Sequence, residues 1–342
     1  MSKLPDEFTA LVVSQTPGNQ TPEKTTASTI QHVLPSDLPA GDVTIRVAYS
    51  SLNYKDALAI GGHPGVVRRF PHVPGIDAAG TVVASDSPSY TAGQKVLVTG
   101  FDLGAGSWGG YSEYIRVPAN WVVPLPAGLT AREAMIFGTA GFTAAQSLSA
   151  IEAHGVGPED GELLVTGATG GVGSLAVAMA ARAGYQVVAA TGKSDAHAWL
   201  EQLGAARIVD RHECTDESGR PLLGAKWAGA IDTVGGAMLT TALRSTALHG
   251  CVTCCGMVAG DEINVSIFPF ILRGVALVGI DSAWFASARR GALWQRMAGP
   301  WRPADLEALV CSTASLEGLD DYVHQIRAGK IRGRVVVEIA GE

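Results

Sequence analysis

Cysteine is missing before Cys214, and the five present (Cys214, Cys251, Cys254, Cys255 and Cys311) are odd in number. Three of them crowd into one apolar stretch, so the set does not specify a disulfide framework. The C-x-x-C of Cys251 and Cys254 has no second Cys or His pair at suitable spacing for a four-ligand zinc site. It reads as a short parallel strand of small buried residues. Charge is also scarce: 17% of residues are charged and 47% are apolar. A net charge of −7 provides no basic face for neutralising phosphates, which argues against nucleic acid as the main partner. A small anionic ligand on a local basic patch stays compatible. No apolar run reaches the roughly 20 residues that span a bilayer, and Arg182 interrupts the most apolar helix. The segment Met1-Ser-Lys-Leu-Pro-Asp-Glu7 has no apolar signal-peptide core. The expectation is a cytoplasmic protein. Its 42 glycines form no repeat, and 342 residues suffice for two domains.

What the chain does contain is a strand, a glycine-rich turn and an apolar helix in succession, from Glu162 through Gly167-Ala-Thr-Gly170-Gly171-Val-Gly173 to Met179. A second apolar strand, Tyr185–Ala190, follows. That context is what a dinucleotide-binding turn requires, with the pyrophosphate on a helix N-terminus. Gly167, Gly170 and Gly173 leave the backbone open to phosphate and let the helix approach the sheet. An NAD enzyme places an acid after the second strand to hold the ribose 2′-OH. Here Thr191-Gly192-Lys193-Ser194 stands there, and the first acid, Asp195, comes one step later. Lys193 and the hydroxyls suit a 2′-phosphate, so NADPH is expected; the alternative is that Lys193 is a solvated loop lysine.

Residues 1–130 are rich in turn signals and short β-branched runs, among them Val43–Tyr49, Gly80–Ala84 and Lys95–Thr99. They predict an antiparallel β region, a distorted barrel. From about Thr130 the pattern turns helical, broken near Gly138 and Gly141. Strands and helices then alternate: 162–166, a helix from 171, 185–190, a helix over 195–203, 207–210, 229–232, a helix over 236–247, and strands near 251–255 and 275–280. Such alternation specifies a doubly wound parallel sheet. The Val-rich run Gly333–Ile339 suggests that the chain returns to complete the first domain. The predicted organisation is α/β: a β-rich catalytic domain of residues 1–129 and 284–342, and a Rossmann NADPH-binding domain of 130–283. A ligand would sit in the cleft between them, at the C-terminal ends of the parallel strands.

Four segments together resemble the medium-chain dehydrogenase/reductase superfamily: Ser50-Ser-Leu-Asn-Tyr-Lys-Asp56, Pro74-Gly-Ile-Asp-Ala-Ala-Gly80, Gly138-Thr-Ala-Gly-Phe-Thr143 and the Gly167–Gly173 turn. Trp227–Gly235 and Phe268-Pro-Phe-Ile-Leu-Arg273 extend the likeness over nearly the whole length. It is closest to the zinc-free acrylyl-CoA reductase branch, beside the quinone oxidoreductases, and implies that the β-rich domain is GroES-like. Zinc alcohol dehydrogenases of the superfamily have a Cys where Asn53 stands and Gly-His-Glu where Gly75-Ile76-Asp77 stands. Neither ligand is present, and the four-cysteine structural lobe has no cysteines to form it.

The resemblance implies NADPH-dependent reduction of the double bond of a short 2-enoyl-CoA, acrylyl-CoA to propionyl-CoA first of all. An NADPH:quinone reductase is the alternative enzyme, and a non-catalytic NADPH-binding protein the alternative outside enzymes. It places Tyr54 beside the nicotinamide. There the phenol either donates to the developing enolate or only walls the pocket, with water as the proton source. Asn53 and Asp56 are expected to hold that loop, and Lys55 to be solvated. By the same carry-over Thr169, Gly170, Gly171 and Val172 contact the pyrophosphate. Thr191, Gly192, Lys193 and Arg207 lie by the 2′-phosphate, and Met257, Ile280 and Ser282 line the nicotinamide side. Arg68 and Arg69 face the coenzyme A phosphates or form a solvated rim, with Arg289, Arg290, Arg332 and Arg334 as further candidates. No metal is expected. A homodimer is, through the apolar edge run Gly274–Ile280.

Overall fold

The computed structural model describes residues 4–16 and 25–341. Residues 1–3 of the N-terminal stretch considered above lie outside the described residues. The strands are β1 (Phe8–Thr16), β2 (Thr25–Val33), β3 (Val43–Ser51), β4 (Asp77–Ser85), β5 (Lys95–Thr99), β6 (Tyr114–Val117), β7 (Val123–Pro124), β8 (Glu162–Val165), β9 (Gln186–Thr191), β10 (Arg207–Asp210), β11 (Trp227–Asp232), β12 (Thr246–Cys254), β13 (Ala276–Gly279), β14 (Val310–Ala314) and β15 (Arg334–Glu338). The α-helices are α1 (Tyr54–Ile60), α2 (Ala131–Ala153), α3 (Gly171–Arg182), α4 (His197–Gln202), α5 (Gly236–Ser245), α6 (Phe268–Arg273), α7 (Ser287–Ala298) and α8 (Leu319–Arg327).

The chain divides into two compact units. One comprises Met1–Thr139, Ala283–Ala292 and Val310–Glu342; the other comprises Ala140–Ser282 and Leu293–Leu309. These bounds differ from the sequence expectation in three places, of which the shift of Ala283 into the first unit is the smallest. Residues 130–139 belong to the first unit because Gly138, at φ +52°, interrupts α2. Before it the Ile136 carbonyl accepts from Arg334 Nε at 2.9 Å, and directly after it Thr139 N donates to Asp77 at 2.9 Å. Residues 293–309 belong to the second unit because Trp294 stacks on Phe142, Arg296 pairs with Glu152 at 2.7 Å, and Trp199 Nε1 donates to the Ala308 carbonyl at 2.7 Å.

The first unit is built on a seven-stranded sheet in the order β14-β15-β3-β4-β5-β7, with β6 also on β3, and a separate β1-β2 pair. Alternating Val43, Ile45 and Val47 of β3 bury completely against Val82, Val96, Val98 and Ile115. Each such side chain contributes about 1.5–3 kcal/mol on burial. The tail does return to this unit: β15 runs antiparallel to β3, with Val336 opposite Ser51.

In the second unit six strands pair in parallel in the order β10-β9-β8-β11-β12-β13. The order reverses between β8 and β11, and α3 departs from β8 there, at the crevice where such sheets bind ligands. Cys251 lies buried on β12, inside the parallel sheet. One expectation on apolar length needs correction. By length and composition the 23-residue α2 could cross a membrane, but 83% of its apolar window is buried inside the fold, as in a core helix.

Candidate cofactor site and reactive loop

The glycine turn takes the form its sequence demands. Gly167 has φ +60°, Gly170 is the N-cap of α3, and a Cβ on Gly173 would overlap the Gly167 carbonyl oxygen. The turn is braced by the end of β11. Thr166 Oγ1 donates to Asp232 Oδ1 at 2.7 Å, and Thr233 Oγ1 donates to the Thr166 carbonyl at 2.8 Å. The other Asp232 oxygen accepts from Gly235 N at 2.7 Å. Burial raises the Asp232 pKa, while these donors lower it. Nothing in local sequence marks Asp232 and Thr166 as partners; only the parallel register of β8 on β11 brings them together. Thr169, Gly170, Gly171 and Val172 surround the N-terminus of α3, whose open N–H groups and dipole attract anions.

Thr191 closes β9, and its Oγ1 accepts from Lys193 N at 3.0 Å. Arg207 is not beside them. It starts β10 opposite Val188, three residues before Asp210 meets Thr191, and therefore stands toward the N-terminal ends of the parallel strands. There it forms a double hydrogen bond to Glu162 at 3.0 and 2.7 Å. Arg211, which sequence reasoning did not name, stands beside Gly192 instead. A Cβ on Gly192 would lie 3.0 Å from Arg211 Cδ and Nε. Met257 follows β12 and is exposed; Ile280 follows β13 and donates its N–H to the Cys254 carbonyl at 3.0 Å. Ser282 comes two residues later, so all three lie at C-terminal strand ends of the second unit.

Tyr54 opens α1 and is 48% exposed. Beneath it lies a fully buried polar network. Asp56 accepts from Asn53 N at 2.8 Å and from Ile76 N at 2.8 Å. Asn53 Nδ2 donates to Asp77 Oδ2 at 2.7 Å, and Ser51 Oγ donates to the same oxygen at 2.6 Å. Arg334 completes the network, donating to Ser51 Oγ at 2.9 Å and to Asn53 Oδ1 at 3.3 Å. Burial and the charge of Asp77 push the Asp56 carboxyl up to about 7. Asn53 and Asp56 thus hold the loop, as expected. Arg334 and Arg290 are wholly buried and structural, which corrects their candidacy for coenzyme A.

Arg68 and Arg69 are brought together with Lys55 in a recess of about 680 Å³ within the first unit, and Trp108 and Trp284 are among its walls. Lys55, read from sequence as merely solvated, lines this recess.

Two family descriptions match the chain: an alcohol dehydrogenase GroES-like domain over residues 39–127 and a zinc-binding dehydrogenase over 171–297. The acrylyl-CoA reductase AcuI of Ruegeria pomeroyi is 46% identical over 332 residues, 97% of this chain and 99% of that protein. This chain belongs to the medium-chain dehydrogenase/reductase superfamily. Within it lies a solved Salmonella enterica oxidoreductase, yhdH, in complex with NADP, 45% identical with a TM-score of 0.92 over 97% of this chain and 99% of that one. Bacillus subtilis yhfP, solved with NAD bound, is 42% identical with a TM-score of 0.93 over 97% and 99%.

Superfamily membership raises the question of zinc, and the donor set does not fit it. Where zinc members carry Cys and His, this chain has Asn53 and Ile76; Ile76 offers no metal-binding side chain, and Asn53 hydrogen-bonds Asp77 and the Arg334 guanidinium. A fixed cation at that point opposes a second one. Among the described residues no group of three or more His, Cys, Asp and Glu could hold a metal ion.

Proposed function

We propose that this chain is an NADPH-dependent reductase of the carbon–carbon double bond of a short 2-enoyl-CoA, with acrylyl-CoA, reduced to propionyl-CoA, as the leading substrate. The observation that carries it is the Arg334-centred network in place of metal ligands beneath an exposed phenol on Tyr54. Such a loop cannot offer a metal to an alkoxide, but an α,β-unsaturated thioester needs none, because the carbonyl already makes its β carbon electrophilic. The 46% identity to AcuI supports the same substrate class.

The glycine cradle fits a dinucleotide: a side chain at Gly173 would fill the space that brings α3 onto the turn. Thr169, Gly170, Gly171 and Val172 hold the pyrophosphate; Thr191, Gly192, Lys193 and Arg211 hold the 2′-phosphate; Met257, Ile280 and Ser282 line the nicotinamide. When bound, the nicotinamide supplies the hydride that goes to the β carbon. Tyr54 hydrogen-bonds the enolate oxygen through its O–H without giving up the proton, and a single proton from water adds at the α carbon to complete the reduction. Arg68 and Arg69 face the coenzyme A phosphates. All five cysteines are free thiols, consistent with a cytoplasmic enzyme. The working form is a homodimer joined through β13 and α6.

NAD in yhfP favours a second reading of the cofactor, and a flat quinone is the alternative acceptor. Turnover of acrylyl-CoA, crotonyl-CoA and a benzoquinone, each with NADPH and with NADH, separates these. Acrylyl-CoA with NADPH should give the highest kcat/KM; faster quinone reduction would replace the acyl-CoA assignment, and no turnover of any would mean a non-catalytic dinucleotide-binding protein.

A further inference from the structure

Resting on that acyl-CoA reading, we propose that the recess of the first unit seats the 3′-phosphoadenosine diphosphate of the substrate, with Trp284 stacked on the adenine and Arg68, Arg69 and Lys55 on the phosphates. Trp284 is 60% exposed, an unusual position for so large an apolar surface. It is backed by a rigid aromatic stack. Its ring stands edge-on to Phe101, with centroids 6.0 Å apart, and Phe101 lies flat on Trp121 at 5.3 Å.

The buried Arg290 guanidinium sits 4.1 Å from the Phe101 centroid and donates to the carbonyls of Thr99 and Ala283, each at 2.8 Å. Phe101 N also donates to the Ala283 carbonyl at 2.8 Å, which fixes the residue preceding Trp284. An indole held this way loses little freedom when a base stacks on it.

The charge of the recess suits phosphate. Among the described residues Lys55, Arg68 and Arg69 face a single carboxylate, Asp102, in a chain whose net charge is −7. His72 adds no charge at neutral pH: burial lowers its pKa, and its Nε2 lies 3.0 Å from the Gly104 carbonyl. A volume of about 680 Å³ falls in the range of small-molecule sites. Lys55 follows Tyr54 directly, so the recess adjoins the phenol that serves the acyl end.

NADPH also carries a phosphoadenosine, with its phosphate on the 2′ oxygen instead of the 3′. The test therefore uses 3′,5′-ADP and 2′,5′-ADP as probes, by titration calorimetry and as inhibitors of the whole enzyme. The expected result is that 3′,5′-ADP competes with acyl-CoA and binds about tenfold or more weakly to Trp284→Ala and to Arg68→Ala/Arg69→Ala. Trp284→Phe should recover most of that loss, which a misfolded variant would not do. In the same variants 2′,5′-ADP should bind within about twofold of wild type, whereas Arg211→Ala should show the opposite pattern. Unchanged 3′,5′-ADP binding in these variants overturns the assignment, and so does equal weakening of both probes. If acrylyl-CoA is still turned over in that case, only the recess is wrong. If acrylyl-CoA is not turned over and 3′,5′-ADP does not bind wild type, the acyl-CoA function falls with it.

Discussion

At the scale of single residues, Arg211 and Tyr54 carry the most specific consequences. Arg211 lies against Gly192, while Arg207 is occupied by Glu162 toward the N-terminal ends of the strands. Hydrogen bonds to charged groups are worth about 1.5–3 kcal/mol. Arg211→Ala should therefore raise KM for NADPH by roughly ten- to a hundredfold and leave KM for NADH nearly unchanged, with Lys193→Ala acting in the same direction. Arg207→Ala should change the NADPH-to-NADH ratio by less than about twofold, since a half-exposed ion pair contributes little. Steady-state kinetics with both cofactors checks all three. Tyr54→Phe removes one oxygen from an exposed ring. It should lower kcat by roughly ten- to a thousandfold if the phenol donates to the enolate. A kcat within a factor of two would leave Tyr54 as a wall.

At the scale of elements, the N-terminus of α1 and the start of α3 are each held by a contact that tolerates little change. Asp56, at about 7, is a carboxyl whose folded pKa is raised above its ordinary value. The folded chain therefore holds a proton that the unfolded chain releases, and this contribution to stability falls as pH rises from about 4 toward 7. Asp56→Asn removes that titration. Wild type should lose melting temperature relative to this variant across that window, whatever constant offset the lost Asn53 contact adds; parallel curves would place the proton elsewhere. Gly173→Ala puts a methyl into the Gly167 carbonyl. Overpacking of this kind costs about 1–3 kcal/mol, so thermal unfolding should drop by several degrees and dinucleotide titration should weaken.

The glycine turn was legible because every residue of it is local in sequence, and so was the βα alternation that builds the parallel sheet. Arg211 was not legible, because choosing it over Arg207 requires the register of β10 on β9. The roles of Arg334 and Arg290 were hidden for a related reason: their partners lie 281 and 191 residues away. An arginine read from sequence appears as surface charge, yet both are buried here. The fate of residues 293–309 depended on the aromatic contact between Trp294 and Phe142, which no periodicity announces.

At the scale of the whole molecule, the second unit ends its sheet on β13, and α6 with its N-cap beside it exposes Ile267, Ile271 and Leu272 at 63%, 62% and 59%. An open apolar edge of this kind invites pairing. Sedimentation should show a dimer at micromolar concentration, and Ile271→Asp should shift it toward a 35.3 kDa monomer. A monomeric wild type would remove the dimer. The position of Arg334 bears on how the chain is made. The second unit needs nothing beyond Leu309, so its parallel sheet can close while the ribosome is still adding residues. The first unit cannot: until β15 emerges, the Tyr49–Ser51 end of β3 is unpaired on that side, and Asn53 and Ser51 lack their guanidinium partner. Although its residues are synthesised first, the unit bearing the reactive loop is completed last, and in that interval the unpaired end of β3 is open to pairing with another chain.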